Sequence, residues 1–164
     1  MGFIDFRRAL LVLSVVCSAF GQDRSVKALV GGTLVDGYGG PPLANSVIVI
    51  EGERIRTIGQ VGTTAIPTGA QVISTEGMTV LPGLWDAHVH LMLDGHADYE
   101  HWDKTYPPLM EKVIMPASAK QLLFAGVTSA RDLGGPLEAS LAVRKAVRDG
   151  KFPGPTLYIA RAVS

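Results

Sequence analysis

Between Val80 and Ala160 the chain alternates strand, helix, strand, helix and strand, and this rhythm constrains the fold more than any other feature. Val80 to Leu84 runs into Trp85-Asp86-Ala87-His88-Val89-His90, and Ala117 to Phe124 reads as a helix that stops at Gly126, a C-cap residue type. Val127 to Asp132 reads as a strand ended by Leu133-Gly134-Gly135. Pro136 opens a second helix that continues through Asp149 and closes at Gly150, with Leu137, Leu141, Ala142 and Val147 on roughly helical spacing. Thr156 to Ala160 is the third strand. Strands joined through helices pair in parallel. A parallel sheet of three strands leaves both edges bare and much apolar surface uncovered, and a full eight-stranded barrel takes about 250 residues. In a chain of 164 residues the expectation is therefore an α/β fold truncated after its third parallel strand, where a closed barrel of this kind would have eight.

The preceding stretch has a different period. Lys27 to Val30, Thr33 to Asp36, Ser46 to Ile50, Arg54 to Gly59, Val72 to Thr75 and Met78 to Leu81 are short β-type runs, with a loop at Gly37-Tyr38-Gly39-Gly40-Pro41-Pro42. Ser46 to Ile50 is β-branched and apolar, as a buried strand requires. Glu51-Gly52-Glu53 turns it into the alternating Arg54 to Gly59 segment, which predicts a β-hairpin. Together these runs suggest one layer of a small β-sandwich. The domain expectation is a β-sandwich portion over 22–79 and the first βα units over 80–164.

At the extreme N-terminus, Arg7 and Arg8 precede the apolar run Ala9 to Val16, and the small residues Cys17-Ser18-Ala19-Phe20-Gly21 follow. That order describes a signal peptide, 1–21, cut after Gly21, and hence a secreted or periplasmic protein. The run falls short of the roughly 20 apolar residues that span a bilayer. Val16 before Cys17 departs from the lipoprotein pattern. Past Gly21 no cysteine remains, so no disulfide can form and any metal site must use His, Asp, Glu or a modified Lys. With 15 Lys and Arg against 15 Asp and Glu, spread without runs, nothing points to nucleic acid or to a membrane surface.

The chemistry concentrates at His88 and His90. On a strand, positions i and i+2 face the same way about 7 Å apart, near enough for two imidazoles to converge on one ion through bonds of about 2.0–2.1 Å. If this is the first barrel strand, its C-terminal end is where active sites gather. Asp86, two residues earlier, is placed to orient a ligand as a hydrogen-bond acceptor. His96 and His101 fall in a polar loop with Asp94, Asp98 and Asp103, where substrate contacts can sit. Arg131 and Asp132 are expected to pair with each other or brace the fold, and Trp85 to lie in the core.

Three ordered motifs carry a resemblance. Met78-Thr79-Val80-Leu81-Pro82-Gly83-Leu84-Trp85-Asp86-Ala87-His88-Val89-His90 resembles the amidohydrolase superfamily signature that closes the first barrel strand. Ala125 to Gly135 resembles the second strand of its imidazolonepropionase-like and Xaa-Pro dipeptidase-like branch, and Gly154-Pro155-Thr156-Leu157 the entry to the third. The hairpin around Gly52 resembles the N-terminal sandwich of the same superfamily, so the resemblance spans Lys27 to Ser164.

The resemblance implies a metal-dependent hydrolase of amide, cyclic amide or dipeptide C–N bonds, acting through metal-bound hydroxide. His88 and His90 would bind the more buried metal of a mono- or binuclear site, with Zn2+ the expected metal. The other ligands of the family, a carboxylated lysine on the fourth strand, histidines on the fifth and sixth and an aspartate on the eighth, have no counterpart here. No catalytic residue is therefore assigned, and the isolated fragment is expected to be inactive. The implied partner is a small amide or dipeptide substrate, with no nucleic acid and no membrane after signal cleavage, and with room for oligomerisation of a longer parent. Two other readings stand beside this one: a non-catalytic truncated remnant, or a small metal-binding or interaction module using His88, His90, His96 and His101.

Overall fold

The computed structural model describes residues 25–93 and 97–160. The expected signal peptide, His96 and residues 161–164 lie outside the described residues. The described residues fall into two compact units, one within 25–35 and 41–80 and the other within 36–40 and 81–160.

The first unit contains β1 (Val26–Val30), β2 (Thr33–Leu34), β3 (Ser46–Glu51), β4 (Arg54–Gln60), β5 (Gln71–Ser74) and β6 (Thr79–Val80). One sheet has the order β4-β3-β1-β5, and β2 and β6 form a second, parallel pair. β3 runs antiparallel to both its neighbours, and its Ser46 to Val49 are buried, as its β-branched apolar sequence predicts. The buried Ser46 hydroxyl donates to the Gly32 carbonyl at 2.9 Å, and Thr75 Oγ1 accepts from the Gly32 N–H at 3.0 Å. Thr75 thereby satisfies a backbone N–H that burial would otherwise orphan, while the Ser46 hydroxyl is a second donor to a carbonyl that already accepts from the Ser46 N–H at 2.8 Å. The hairpin forms where expected, Glu51 pairing with Arg54 across Gly52-Glu53. Alternation in β4, however, buries neither face: Ile55 and Ile58 stay exposed. β4 is an edge strand, and among the described residues nothing covers its apolar side.

The second unit is mixed α/β. Its strands β7 (Leu84–Val89), β8 (Val127–Asp132) and β9 (Thr156–Ile159) pair in parallel in that order. The α-helices are α1 (Tyr99–Thr105), α2 (Met115–Phe124) and α3 (Leu137–Arg148), and a short 3-10 turn at Pro107–Leu109 and a π-helical turn at Met110–Ile114 lead into α2. α2 and α3 end just before Gly126 and Gly150, whose φ values of 86° and 69° supply the left-handed turn that closes each helix. Gly83 answers a different need, since a Cβ there would lie 2.7 Å from the Cβ of Thr128 on the neighbouring strand. The two strands can meet only because residue 83 has no side chain.

One face of this sheet is built. Ala130 of β8 and Leu157 of β9 pack with Met115 of α2, Val143 of α3, and Leu91, Trp102 and Met110 into one apolar core. Ala130 and Met115 are wholly buried. The other face is open. Trp85 is 53% exposed, rather than in the core as expected, and its ring rests on Tyr158 with centroids 5.5 Å apart. Parallel sheets normally bury both faces; here only helices on one side do so among the described residues.

Two other expectations need correction. His101 and Asp103 do not lie in a loop: they belong to α1, which Asp98 caps by accepting from the His101 backbone N–H at 3.0 Å. Arg131 and Asp132 do not pair, because adjacent strand residues point to opposite faces. Arg131 is exposed, while Asp132 is 1% exposed and accepts a hydrogen bond of 3.0 Å from the Ser140 hydroxyl.

Candidate metal centre

The carboxyl ends of β7 and β8 carry the side chains of interest, and parallel sheets bind ligands outside those ends. His88 and His90 converge there. Their Nε2 atoms are 3.2 Å apart and their rings meet edge to face at 5.1 Å between centroids. An ion about 2.0–2.1 Å from each nitrogen would see them at about 100°, near the tetrahedral angle. That separation suits two ligands of one ion when both Nε2 atoms carry a lone pair, whereas with one of them protonated the same contact is a hydrogen bond. Among the described residues no third His, Cys, Asp or Glu completes a metal-binding group with them.

Asp86 contributes through the backbone. Its Oδ1 accepts from the His88 N–H at 3.0 Å, a local side-chain capture that competes with the strand ladder. The ladder slips there: Asp86 pairs with Ala130 and Val89 with Asp132, so one extra residue of β7 lies between two successive pairs. Asp86 and Val89 thus share the helix-covered face although three residues apart. Simple alternation, which set Asp86 on the same face as His88, does not carry through this irregularity. Such bulges redirect side chains at sites, and this one encloses His88.

His101 is exposed on α1, its ring against Tyr106 at 5.7 Å between centroids. His96 lies outside the described residues, so the four-histidine module has no described geometry. A residue that sequence reasoning passed over stands closer. Gly134, read there as the end of a strand and part of the second-strand motif but given no role at the site, lies against the His90 ring: a Cβ at 134 would be 2.6 Å from His90 Cε1 and nearer still to Nδ1. That Nδ1 is buried and has no hydrogen-bond partner. Its neighbour Gly135 faces the Ser140 hydroxyl and lies 3.2 Å, measured from an added Cβ, from Asp132 Oδ2. The adjacent pair of glycines was the available signal.

Comparison with known proteins follows the same segment. Residues 79–164 match the Amidohydrolase family. Over 61 residues the chain is 39% identical to an imidazolonepropionase of Micrococcus luteus, covering 37% of this chain and 15% of that protein. The structure resembles molinate hydrolase with a TM-score of 0.73 at 28% identity, covering 84% of this chain and 30% of that one. It also resembles a Xaa-Pro dipeptidase with a TM-score of 0.71 at 26% identity, covering 83% of this chain and 33% of that one. The chain thus spans about a third of the length of these solved structures and less of the curated relative. With its family pattern running from the last strand of the first unit through all three parallel strands, the chain belongs to the amidohydrolase family.

Proposed function

We propose that this chain supplies the first metal ligands, His88 and His90, of a metal-dependent hydrolase that cleaves a C–N bond in a small amide, cyclic amide or dipeptide. The observation that carries the reading is the 3.2 Å approach of the two Nε2 atoms at the carboxyl end of a parallel strand. Family membership supports hydrolysis of C–N bonds, and the resemblance to a Xaa-Pro dipeptidase supports a dipeptide as one substrate class. A bound divalent ion, Zn2+ in this reading, would acidify a water and polarise the scissile carbonyl. The chain's own contribution is to hold two imidazoles at a fixed separation, with Asp86 holding the backbone N–H of His88.

The same reading takes β7, β8 and β9 as the first strands of a (β/α)8 barrel and the β-rich first unit as part of a sandwich that precedes it. The open face bearing Trp85 and Tyr158 supports this, since a barrel's strands face inward on a packed core. So does the share of the solved structures that the chain covers. On its own the chain is then expected to bind metal weakly and turn over nothing. The order of charge, apolar run and small residues over 1–21 supports an extracytoplasmic location.

The test is to express the open reading frame that carries this chain in full and assay it on Xaa-Pro dipeptides and cyclic amides. Activity should vanish on chelation, return with Zn2+, and be absent in His88→Ala and His90→Ala. Hydrolysis that is indifferent to chelator and to both substitutions would sink the assignment.

A further inference from the structure

We propose that Gly134 is a positioning residue for His90: the missing Cβ of residue 134 is what allows the imidazole to seat where its Nε2 meets that of His88. The inference rests on reading His90 as a ligand, and it deepens that reading by naming what aims the ring. The His90 edge that carries Nδ1 is buried against the loop after β8, and an added methyl at 134 would come within 2.6 Å of Cε1 and closer to Nδ1. No real Cβ tolerates such an approach, so something must move.

What moves follows from the anchoring of each partner. Leu133 N–H donates to the Val89 carbonyl at 3.0 Å, and Ala160 N–H to the Asp132 carbonyl at 2.9 Å, which ties the backbone entering the loop to the strands on both sides. The Asp132 carboxylate is itself held by Ser140 of α3 at 3.0 Å, and Gly135 is packed against that hydroxyl. The His90 ring has no tether at Nδ1, hangs from single bonds, and makes its 3.2 Å Nε2 contact with an exposed side chain, His88. It is the softer partner, and rotation of the ring is the relief expected in Gly134→Ala. Rotation takes Nε2 away from the point it shares with the Nε2 of His88, while the strands and helices stay in place.

The experiment has two arms. In the first, Zn2+ binding by the full-length protein and its Gly134→Ala variant is measured by chelator competition, with the visible spectrum of the Co2+-loaded forms as a check on ligand geometry. Gly134→Ala should weaken Zn2+ binding about tenfold to a hundredfold, the range for residues that orient a metal ligand, and should alter the Co2+ spectrum. Unchanged affinity with an unchanged spectrum overturns the proposal. In the second arm, thermal unfolding of the metal-free protein is followed for wild type, Gly134→Ala, His90→Ala and the double variant. If the methyl acts through the ring, any loss of stability caused by Gly134→Ala disappears once His90 is alanine. A loss of the same size in both backgrounds, including outright failure to fold, overturns the proposal. Should the wild type bind no Zn2+, the metal assignment falls while the second arm still decides whether Gly134 and His90 are coupled.

Discussion

The two faces of the parallel sheet were made from the same three strands and have opposite characters. On the helix side Ala130, Asp132 and Leu157 are nearly or wholly buried under α2 and α3. On the other side Trp85, Arg131 and Tyr158 are exposed, and the two aromatic rings rest on each other. The difference teaches that strand composition alone does not decide burial. Leu157 and Tyr158 are adjacent, both are large and both have high apolar content, yet they differ because helices cover one side only.

The contrast can be broken most strongly at Leu157. Truncation to alanine should cost about 2–5 kcal/mol by loss of buried area and creation of a cavity, whereas Tyr158→Ala should cost at most about 1 kcal/mol, the scale of an exposed aromatic pair. Urea denaturation of both variants checks this, and equal losses would mean that the open face is packed in solution. A middle-sized effect is expected at Asp132. Its Oδ1 is buried without a partner while Oδ2 holds Ser140. Asp132→Ala should cost about 1–3 kcal/mol by leaving the Ser140 hydroxyl unsatisfied, and Arg131→Ala on the opposite face should be neutral within about 0.5 kcal/mol. Comparable unfolding midpoints for the two would refute the assignment of Asp132 as a structural anchor.

The smallest effect lies at the exposed end of α3. The hydrogen bond from Lys145 holds the Asp149 carboxyl below the usual carboxylate value, with the nearby charges of Lys145, Arg148 and Lys151 adding to it. Because the folded-state value is lowered, the contribution is present above the unfolded value and is lost as pH falls through the folded one. The pair is exposed and solvent-screened. Lys145→Ala should therefore raise the Asp149 pKa, read by NMR titration, and leave the unfolding midpoint at neutral pH unchanged within error. A midpoint that dropped measurably would show that this helix end is less solvated than its exposure indicates.

Much of this was legible in the sequence where glycine and proline punctuate periodic segments. Gly126 and Gly150 close helices, Pro136 precedes one, and Gly52 turns the hairpin, because each such position demands a backbone conformation few residues offer. The histidine pair was legible for a similar reason, its spacing being fixed by covalent geometry. What escaped depends on events that spacing does not encode. Asp86 captures a backbone N–H and slips the ladder by one residue, so the alternation that related it to His88 fails. A helix of seven residues at Tyr99–Thr105 is too short to declare itself by periodicity among charged and aromatic neighbours. The exposure of Trp85 and the approach of Gly134 to His90 are tertiary facts, set by residues some forty positions apart or by a layer that the strands themselves do not specify.

The chain has two tryptophans, and the fold has sorted them. Trp102 is 7% exposed in the core against the helix-covered face, and Trp85 is 53% exposed on the open one. Each side of the sheet therefore has its own optical reporter, one emitting from a dry environment and one from a wet one. Whatever comes to lie over the open side will shift the red emission of Trp85 toward the blue and shield it from aqueous quenchers, while Trp102 supplies an internal standard that does not move.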